Sequence, residues 1–95
     1  MNVVFTPRAL RDVLNIANYF EKNALPGAVN VRQAIHDTVA LVSEYPGAGR
    51  RQHSHGVRKI ATRDYPYLIY YRTNAGRIEI ISTRHAARRR LFRDV

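Results

Sequence analysis

The chain has 95 residues, no cysteine and a formal net charge of +9, with 16 lysines and arginines against 7 acidic side chains. This length predicts one small domain over residues 1–95, and the lack of cysteine excludes disulfides and thiolate metal sites. No apolar run approaches the ~20 residues of a membrane span, and no signal peptide is visible, so we expect a cytoplasmic protein that binds no membrane.

The net charge is confined to the second half of the chain. Residues 1–49 carry as many acidic as basic side chains, whereas residues 50–95 carry the whole formal charge. A neutral half joined to a cationic half indicates a scaffold that presents a basic surface. Such a surface attracts phosphate or a strongly acidic protein.

The neutral half predicts a strand and two helices. Asn2–Phe5 is β-branched and aromatic, as in a strand, and Thr6 and Pro7 supply a capping hydroxyl and a proline at the first helical position. Apolar residues then recur every three or four positions, which predicts an amphipathic helix: Leu10, Val13, Leu14, Ala17 and Phe20. A second such stripe predicts a helix that stops at Pro46: Ala28, Val31, Ile35, Thr38, Val42 and Tyr45.

The basic half predicts a polar loop, three strands and a tail. The loop runs from Gly47 to Gly56, and the segments of strand composition are Val57–Arg63, Tyr67–Thr73 and Arg77–Arg84. Residues 85–95 form a basic tail. The order β-α-α-β-β-β predicts an α+β two-layer sandwich, in which a helical hairpin packs on one face of an antiparallel sheet.

Alternation along the second of these strands separates its tyrosines. Tyr67, Ile69 and Tyr71 share one face and are expected in the core. Tyr70 lies on the opposite face with Leu68, which makes Tyr70 the better candidate for contact with a ligand.

Five short motifs occur in order along nearly the whole chain: Phe5–Asp12, Glu44–Arg50, Gly56–Arg58, Tyr65–Arg72 and Arg84–Arg88. With them the chain resembles the RelE/ParE superfamily of toxins from bacterial type II toxin–antitoxin systems. The resemblance implies a small basic toxin, of the kind associated with plasmid stabilization, that a cognate antitoxin neutralises. RelE-like members cleave messenger RNA in the ribosomal A site without a metal, whereas ParE-like members inhibit DNA gyrase.

Two departures from the RelE pattern favour the ParE branch. RelE-like strands commonly place an arginine where this chain has Leu68. RelE-like tails often place arginine directly after a histidine or lysine, whereas His85 is followed by two alanines. The spacing from His85 to Arg88 is similar to ParE-like tails. We therefore expect a gyrase inhibitor that is not an enzyme. The alternatives are an mRNA endoribonuclease and a non-toxic relative that binds nucleic acid.

The expected site residues follow from this resemblance and from charge. A metal-free nuclease needs a proton-transferring group and cations around the phosphorane, for which the candidates are His85, Arg84, Arg58 and Arg72. The expected target-binding residues are Arg84, His85, Arg88, Arg89 and Arg90. An acidic antitoxin is expected to contact Ile16, Tyr19, Arg58, Arg63 and Arg72. No cofactor is expected. No metal is expected either, because His36, His53 and His55 lack the spacing of metal ligands.

Overall fold

The computed structural model describes residues 1–23 and 28–86, and for residues 28 and 29 it describes the backbone alone. Within these residues the chain forms two helices and five strands. They are β1 (Asn2–Phe5), α1 (Pro7–Lys22), α2 (Ala28–Glu44), β2 (Arg50–Arg51), β3 (Val57–Ala61), β4 (Tyr67–Asn74) and β5 (Arg77–His85). No helix in the described part of the chain is long and apolar enough to cross a membrane.

The strands form one sheet in the order β1-β5-β4-β3-β2. The helices pack on it, and the predicted α+β two-layer sandwich is confirmed. The expectation of an antiparallel sheet holds for β2 to β5, but β1 pairs parallel to β5, with Val3 opposite Ile78 and Phe5 opposite Ile80. This pairing is non-local, because the helices and the other strands separate its two partners in the chain, so neither strand's composition could reveal it.

The predicted polar loop from Gly47 to Gly56 is wrong in one part. Arg50 and Arg51 form the short edge strand β2, paired with Lys59 and Arg58 of β3. The strand predicted at Val57–Arg63 ends earlier, at Ala61. The Thr62 hydroxyl donates to the carbonyl oxygen of Tyr65 at 2.8 Å, and Asp64 takes a positive φ of 66°. These features turn the chain before Arg63 can extend the strand.

Helix α1 begins where predicted, and its buried face agrees with the predicted stripe in part. The Thr6 hydroxyl accepts the N–H of Ala9 at 3.1 Å, and Pro7 occupies the first turn. Of the predicted stripe, Ala17 is buried and Val13 and Phe20 pack against the core. Leu10 and Leu14 are each 53% exposed, and Ala9, which the stripe did not include, is buried instead. The observed face includes a small alanine at its start, which allows α1 to lie close to the sheet.

The second helix and the sheet core agree with their apolar patterns. Four residues of the predicted α2 stripe are buried: Val31, Ile35, Thr38 and Val42. Its last member, Tyr45, lies beyond the helix and is 60% exposed. The sheet contributes Tyr67, Ile69, Tyr71, Ile78 and Ile80 to the same cluster.

The expectation that Tyr70 is available to a ligand is wrong. Tyr70 is only 1% exposed, as deeply buried as Ile69 and Tyr71 on either side of it. Alternation correctly separates Tyr70 from those neighbours but does not tell whether its face of the sheet is covered. The register of β4 against β5 also shifts between Tyr70 and Tyr71, because β5 has one extra residue there.

Candidate functional site

A cleft of about 520 Å³ opens between α1 and the end of the sheet where β4 begins and β5 ends. Its lining residues are Asp12, Asn15, Ile16, Tyr19, Phe20, Pro66, Tyr67, Thr83, Arg84 and His85. The cleft therefore brings Ile16 and Tyr19, expected to bind an antitoxin, next to Arg84 and His85, expected to bind the target.

Hydrogen bonds between α1 and β5 determine the position of one wall of this cleft. Oδ2 of Asp12 accepts the backbone N–H of Thr83 at 3.1 Å. At the N-cap of the same helix, the Thr6 hydroxyl donates to the carbonyl oxygen of Ile81 at 3.0 Å. Both bonds join a residue at or near the first turns of α1 to β5, so the helix cannot shift along the strand without breaking them.

The imidazole of His85 is oriented by a core residue. Tyr67 and His85 lie opposite each other in the β4–β5 register, and their rings meet edge to face with centroids 5.4 Å apart at 84°. Tyr67 is only 7% exposed, so its ring is held by the surrounding core. This edge-to-face contact, a favoured geometry for aromatic rings, limits the directions in which His85 can point.

Two donors in the lining of the cleft have no partner within the described residues. They are the Thr83 hydroxyl and the Nε–H of Arg84, both buried. An unpaired buried polar group costs about 1–3 kcal/mol. Both atoms have almost no accessible surface, so this cost belongs to the fold itself. The accessible lining of the cleft combines Arg84 with an apolar wall of Tyr19 and Phe20.

The cleft is not arranged as a metal site. Within residues 1–23 and 28–86, no three acidic or histidine side chains lie together in a way that could hold a metal ion. The ionisable groups that line the cleft are one carboxylate, one guanidinium, one imidazole and two phenols.

Comparison with known proteins assigns the chain to a family. The profile of the family described as "ParE toxin of type II toxin-antitoxin system, parDE" matches residues 3–90. The chain belongs to the ParE toxin family. It is thus the toxin component of a type II toxin–antitoxin system, and such a system implies an antitoxin as its partner.

Two relatives support this assignment. A protein of Sinorhizobium fredii, "Putative toxin Y4kP", is 35% identical to this ParE-family chain over 82 residues, which cover 86% of this chain and 84% of the relative. The solved structure described as "Chromosomal ParDE TA system from P. aeruginosa" is 24% identical, with a TM-score of 0.76 over 90% of this chain and 95% of the other. At that identity the likeness shows the fold.

The four candidate catalytic residues of this ParE-family toxin do not meet in one place. Arg84 and His85 line the cleft, but Arg58 donates from Nη1 to the carbonyl oxygens of Gly47, at 3.4 Å, and Gly49, at 2.8 Å. Arg72 pairs with Glu79, and Glu79 lies five residues before Arg84 on β5. Arg84 lies opposite Leu68, four residues from Arg72 on β4, so at roughly 3.3 Å per strand residue the two arginines are about 13 Å apart along the sheet.

The residues expected to bind the antitoxin are divided in the same way. Ile16 and Tyr19 line the cleft, and Arg63 lies exposed in the β3–β4 connection, which also contributes Pro66. Arg58 and Arg72 are remote from it. Of the expected target-binding residues, Arg88, Arg89 and Arg90 lie outside the described residues.

Sequence reasoning missed the contribution of Asp12 and Thr83 to the site. Asp12 lies among other polar residues on the helix, and Thr83 lies 71 positions later in an ordinary strand pattern. Nothing in either local pattern distinguishes them. Only the packing of α1 against β5 reveals that they are hydrogen-bonded across the cleft.

Proposed function

We propose that this ParE-family toxin acts by inhibiting DNA gyrase in the cytoplasm and that an acidic antitoxin neutralises it by occupying the cleft between α1 and β5. The observation that carries the proposal is the composition of the cleft. Apolar groups suited to an antitoxin segment, Ile16 and Tyr19, lie beside Arg84 and His85. A segment seated there would cover both Arg84 and His85.

The guanidinium in the cleft supports an acidic occupant. Arg84 is a lining residue, and a guanidinium forms strong charge-assisted hydrogen bonds with carboxylates. Charge outside the cleft adds to this attraction, because residues 50–95 carry the whole formal charge. The partner would thus lay a helix or an extended segment along α1.

The separation of the candidate catalytic residues supports gyrase over messenger RNA as the target. A nuclease without a metal must place several cations and a proton-transferring group around one phosphate. Here Arg58 and Arg72 are held by other partners, away from His85. Inhibition of an enzyme by binding has no such geometric requirement.

The experiment that tests the target adds purified toxin to a gyrase supercoiling reaction and, in parallel, to ribosomes translating a defined message. Loss of supercoiling with an intact message is the expected result. Cuts in the message at codon intervals, with normal supercoiling, would contradict the proposal and restore the nuclease alternative. No effect in either reaction would indicate a chain that has lost toxicity.

A pair of tyrosine variants tests the cleft as the antitoxin site. Tyr19→Ala removes a 56% exposed ring from the cleft, and Tyr45→Ala removes a 60% exposed ring that does not line it. Because aromatic side chains dominate interface energies, Tyr19→Ala should weaken antitoxin binding about tenfold or more. Calorimetric titration with the antitoxin measures this effect, and equal losses in the two variants would place the antitoxin elsewhere.

A further inference from the structure

At one edge of the sheet, the paired strands β2 and β3 place like charges directly opposite each other. Arg50 lies directly opposite Lys59, and Arg51 directly opposite Arg58. Like charges at paired positions of neighbouring antiparallel strands are destabilising. The β4–β5 pair shows the usual arrangement, with Arg72 opposite Glu79. This arrangement of charges therefore destabilises the pairing of β2 with β3.

Arg51 and Arg58 lack a carboxylate partner among the residues that the structure describes. Residues 45–63 contain no aspartate or glutamate. Arg51 and Arg58 form no ion pair with any carboxylate of the described residues, whereas Arg72 and Arg77 both reach Glu79 and Arg32 reaches Glu21. Within residues 1–23 and 28–86, then, the charges of Arg51 and Arg58 are uncompensated, and an anion bound from outside the chain would compensate them.

A hollow of about 540 Å³ lies beside these two arginines. Its lining includes Arg51, Ser54, His55, Arg58 and Thr73, and it contains no acidic side chain. The guanidinium groups, the hydroxyls of Ser54 and Thr73 and the His55 imidazole are all groups that donate hydrogen bonds to phosphate oxygens. The hollow lies on β2, β3 and their connection, separate from the cleft at α1.

The loop that forms the hollow is held by its own hydrogen bonds. The N–H of Gln52 donates to the carbonyl oxygen of Val57 at 2.9 Å, and the N–H of Val57 donates to that of Ser54 at 3.1 Å. The side-chain amide of Gln52 donates to the carbonyl oxygens of Arg50, at 2.9 Å, and Arg51, at 3.1 Å. Gly56 closes the turn with a φ of +71°, which glycine adopts without strain.

Arg58 is fixed in a position from which it can still bind an anion. Its Nη1 donates to the carbonyl oxygens of Gly47 and Gly49, so the guanidinium is anchored to the α2–β2 connection. Its other nitrogens donate to no acceptor within the described residues. A guanidinium held on one side and free on the other loses little conformational entropy when it binds.

From this arrangement we infer that the hollow between β2 and β3 is a binding site for a phosphate group, with Arg51 and Arg58 as its cationic ligands. The inference does not depend on gyrase as the target, and it concerns a surface other than the proposed antitoxin cleft. The phosphate belongs to a free nucleotide or to a nucleic-acid backbone, and both offer the same oxyanion to the two guanidinium groups.

The test titrates the full chain, at low ionic strength, with inorganic phosphate, a mononucleotide and a DNA oligonucleotide while backbone N–H resonances are followed by NMR. The variants are Arg51→Gln and, as the control with the same charge change, Arg8→Gln on the exposed surface of α1. We expect shifts concentrated in residues 51–58 and at Thr73. Because a charge-assisted hydrogen bond is lost, Arg51→Gln should weaken binding about tenfold, whereas Arg8→Gln should leave it nearly unchanged.

Thermal unfolding provides a second measurement, and its expected result differs from the lower melting temperature that a poorly folded variant would show. Without phosphate, Arg51→Gln should melt at the same or a higher temperature than the parent chain, because it removes a like-charge pair. Added phosphate should raise the melting temperature of the parent chain more than that of Arg51→Gln. Resonance shifts absent from residues 51–58, or equal weakening in the Arg51 and Arg8 variants, would overturn the inference.

The three ligands distinguish the source of the phosphate. If the site serves a nucleic-acid backbone, the oligonucleotide should bind more tightly than the mononucleotide and with a steeper salt dependence. If it serves a free nucleotide, the mononucleotide should bind at least as tightly as the oligonucleotide. Both outcomes support a phosphate site. Failure of all three ligands would refute it while leaving the gyrase and antitoxin assays unaffected.

Discussion

A single tyrosine hydroxyl fastens the connection between α2 and the edge of the sheet. Oη of Tyr71 donates to the carbonyl oxygen of Pro46 and accepts the N–H of Gly49, both at 2.8 Å. The ring lies in the core with no exposure. This side chain therefore satisfies two main-chain groups of a connection that would otherwise be buried without partners.

Tyr71→Phe should destabilise the fold by about 1–3 kcal/mol, because it leaves a buried N–H and a carbonyl oxygen without a partner. Unfolding in urea measures the change. Tyr45→Phe, at a 60% exposed position, is the matched control and should have almost no effect. Equal stability of Tyr71→Phe and the parent chain would contradict this role for the hydroxyl.

Gly49 is required by the same close approach. A Cβ added there would lie 2.7 Å from Oη of Tyr71 and 3.0 Å from the carbonyl oxygen of Lys59. Gly49→Ala should therefore cost about 1–3 kcal/mol in unfolding free energy through overpacking. Gly47→Ala is the control, since its added Cβ would meet nothing within 4 Å. Similar urea midpoints for the two variants would show that the connection can move aside.

The β4–β5 hairpin is closed by a network centred on Glu79. The two-residue turn of Ala75 and Gly76 has positive φ at both positions, 52° and 76°, as in the turns that match the twist of paired strands. Next to it, Oε1 of Glu79 accepts Nε–H of Arg72 at 2.9 Å, and Oε2 accepts Nδ2–H of Asn74 at 3.1 Å. Opposite charges thus face each other where the hairpin begins.

This network predicts a pH dependence of stability. The hydrogen bonds from Arg72 and Asn74 hold the pKa of the Glu79 carboxyl below its ordinary value of 4.5. The unfolded chain then binds this proton more readily, so the stabilisation is fully present above pH 4.5 and is lost as the pH falls through the lowered pKa. Urea unfolding measured from neutral pH down into this range should show the loss.

Glu79→Gln should be less stable than the parent chain at neutral pH and should lose less stability on acidification. Glu21→Gln is the control, because the Glu21 side chain is 57% exposed and that of Glu79 only 14%. Acid profiles of Glu79→Gln and the parent chain that run parallel would indicate that Glu79 contributes nothing to the pH dependence.

Across the whole molecule, charge is divided between the parts that the two halves of the chain supply. The neutral half supplies β1 and both helices, and the basic half supplies the four antiparallel strands. The strands of the basic half therefore carry part of the charge that attracts a partner from a distance, while α1 supplies apolar contact surface in the cleft.

Association with the antitoxin should slow markedly as salt rises from about 0.1 to 0.5 M, because the screening length falls from about 10 Å to a few ångströms. The dissociation rate should change much less, since it reflects contacts at short range. Stopped-flow mixing of toxin and antitoxin measures both. An association rate that stays constant over this range would exclude long-range attraction as the source of fast binding.

Much of the fold follows from local patterns. The spacing of Val31, Ile35 and Val42 predicts α2 because helical geometry places such residues on one face, and the alternation of Ile69 and Tyr71 assigns them to the core in the same way. The motifs that resemble ParE toxins lead to the family that the comparisons confirm. The site is harder to predict from the sequence. Tyr19 and Arg84 can be named as candidates, but the sequence does not indicate that they line the same cleft.

The sequence alone establishes the order and type of the main elements, the neutral and basic halves, and the family. Tertiary structure decides which α1 face is buried, that β1 joins β5 in parallel, that Arg58 and Arg72 are remote from His85, and that Asp12 meets Thr83. The reason is physical. Periodicity determines which residues share a face, since that depends on the local backbone, but what packs against the face depends on contacts between residues far apart in the chain.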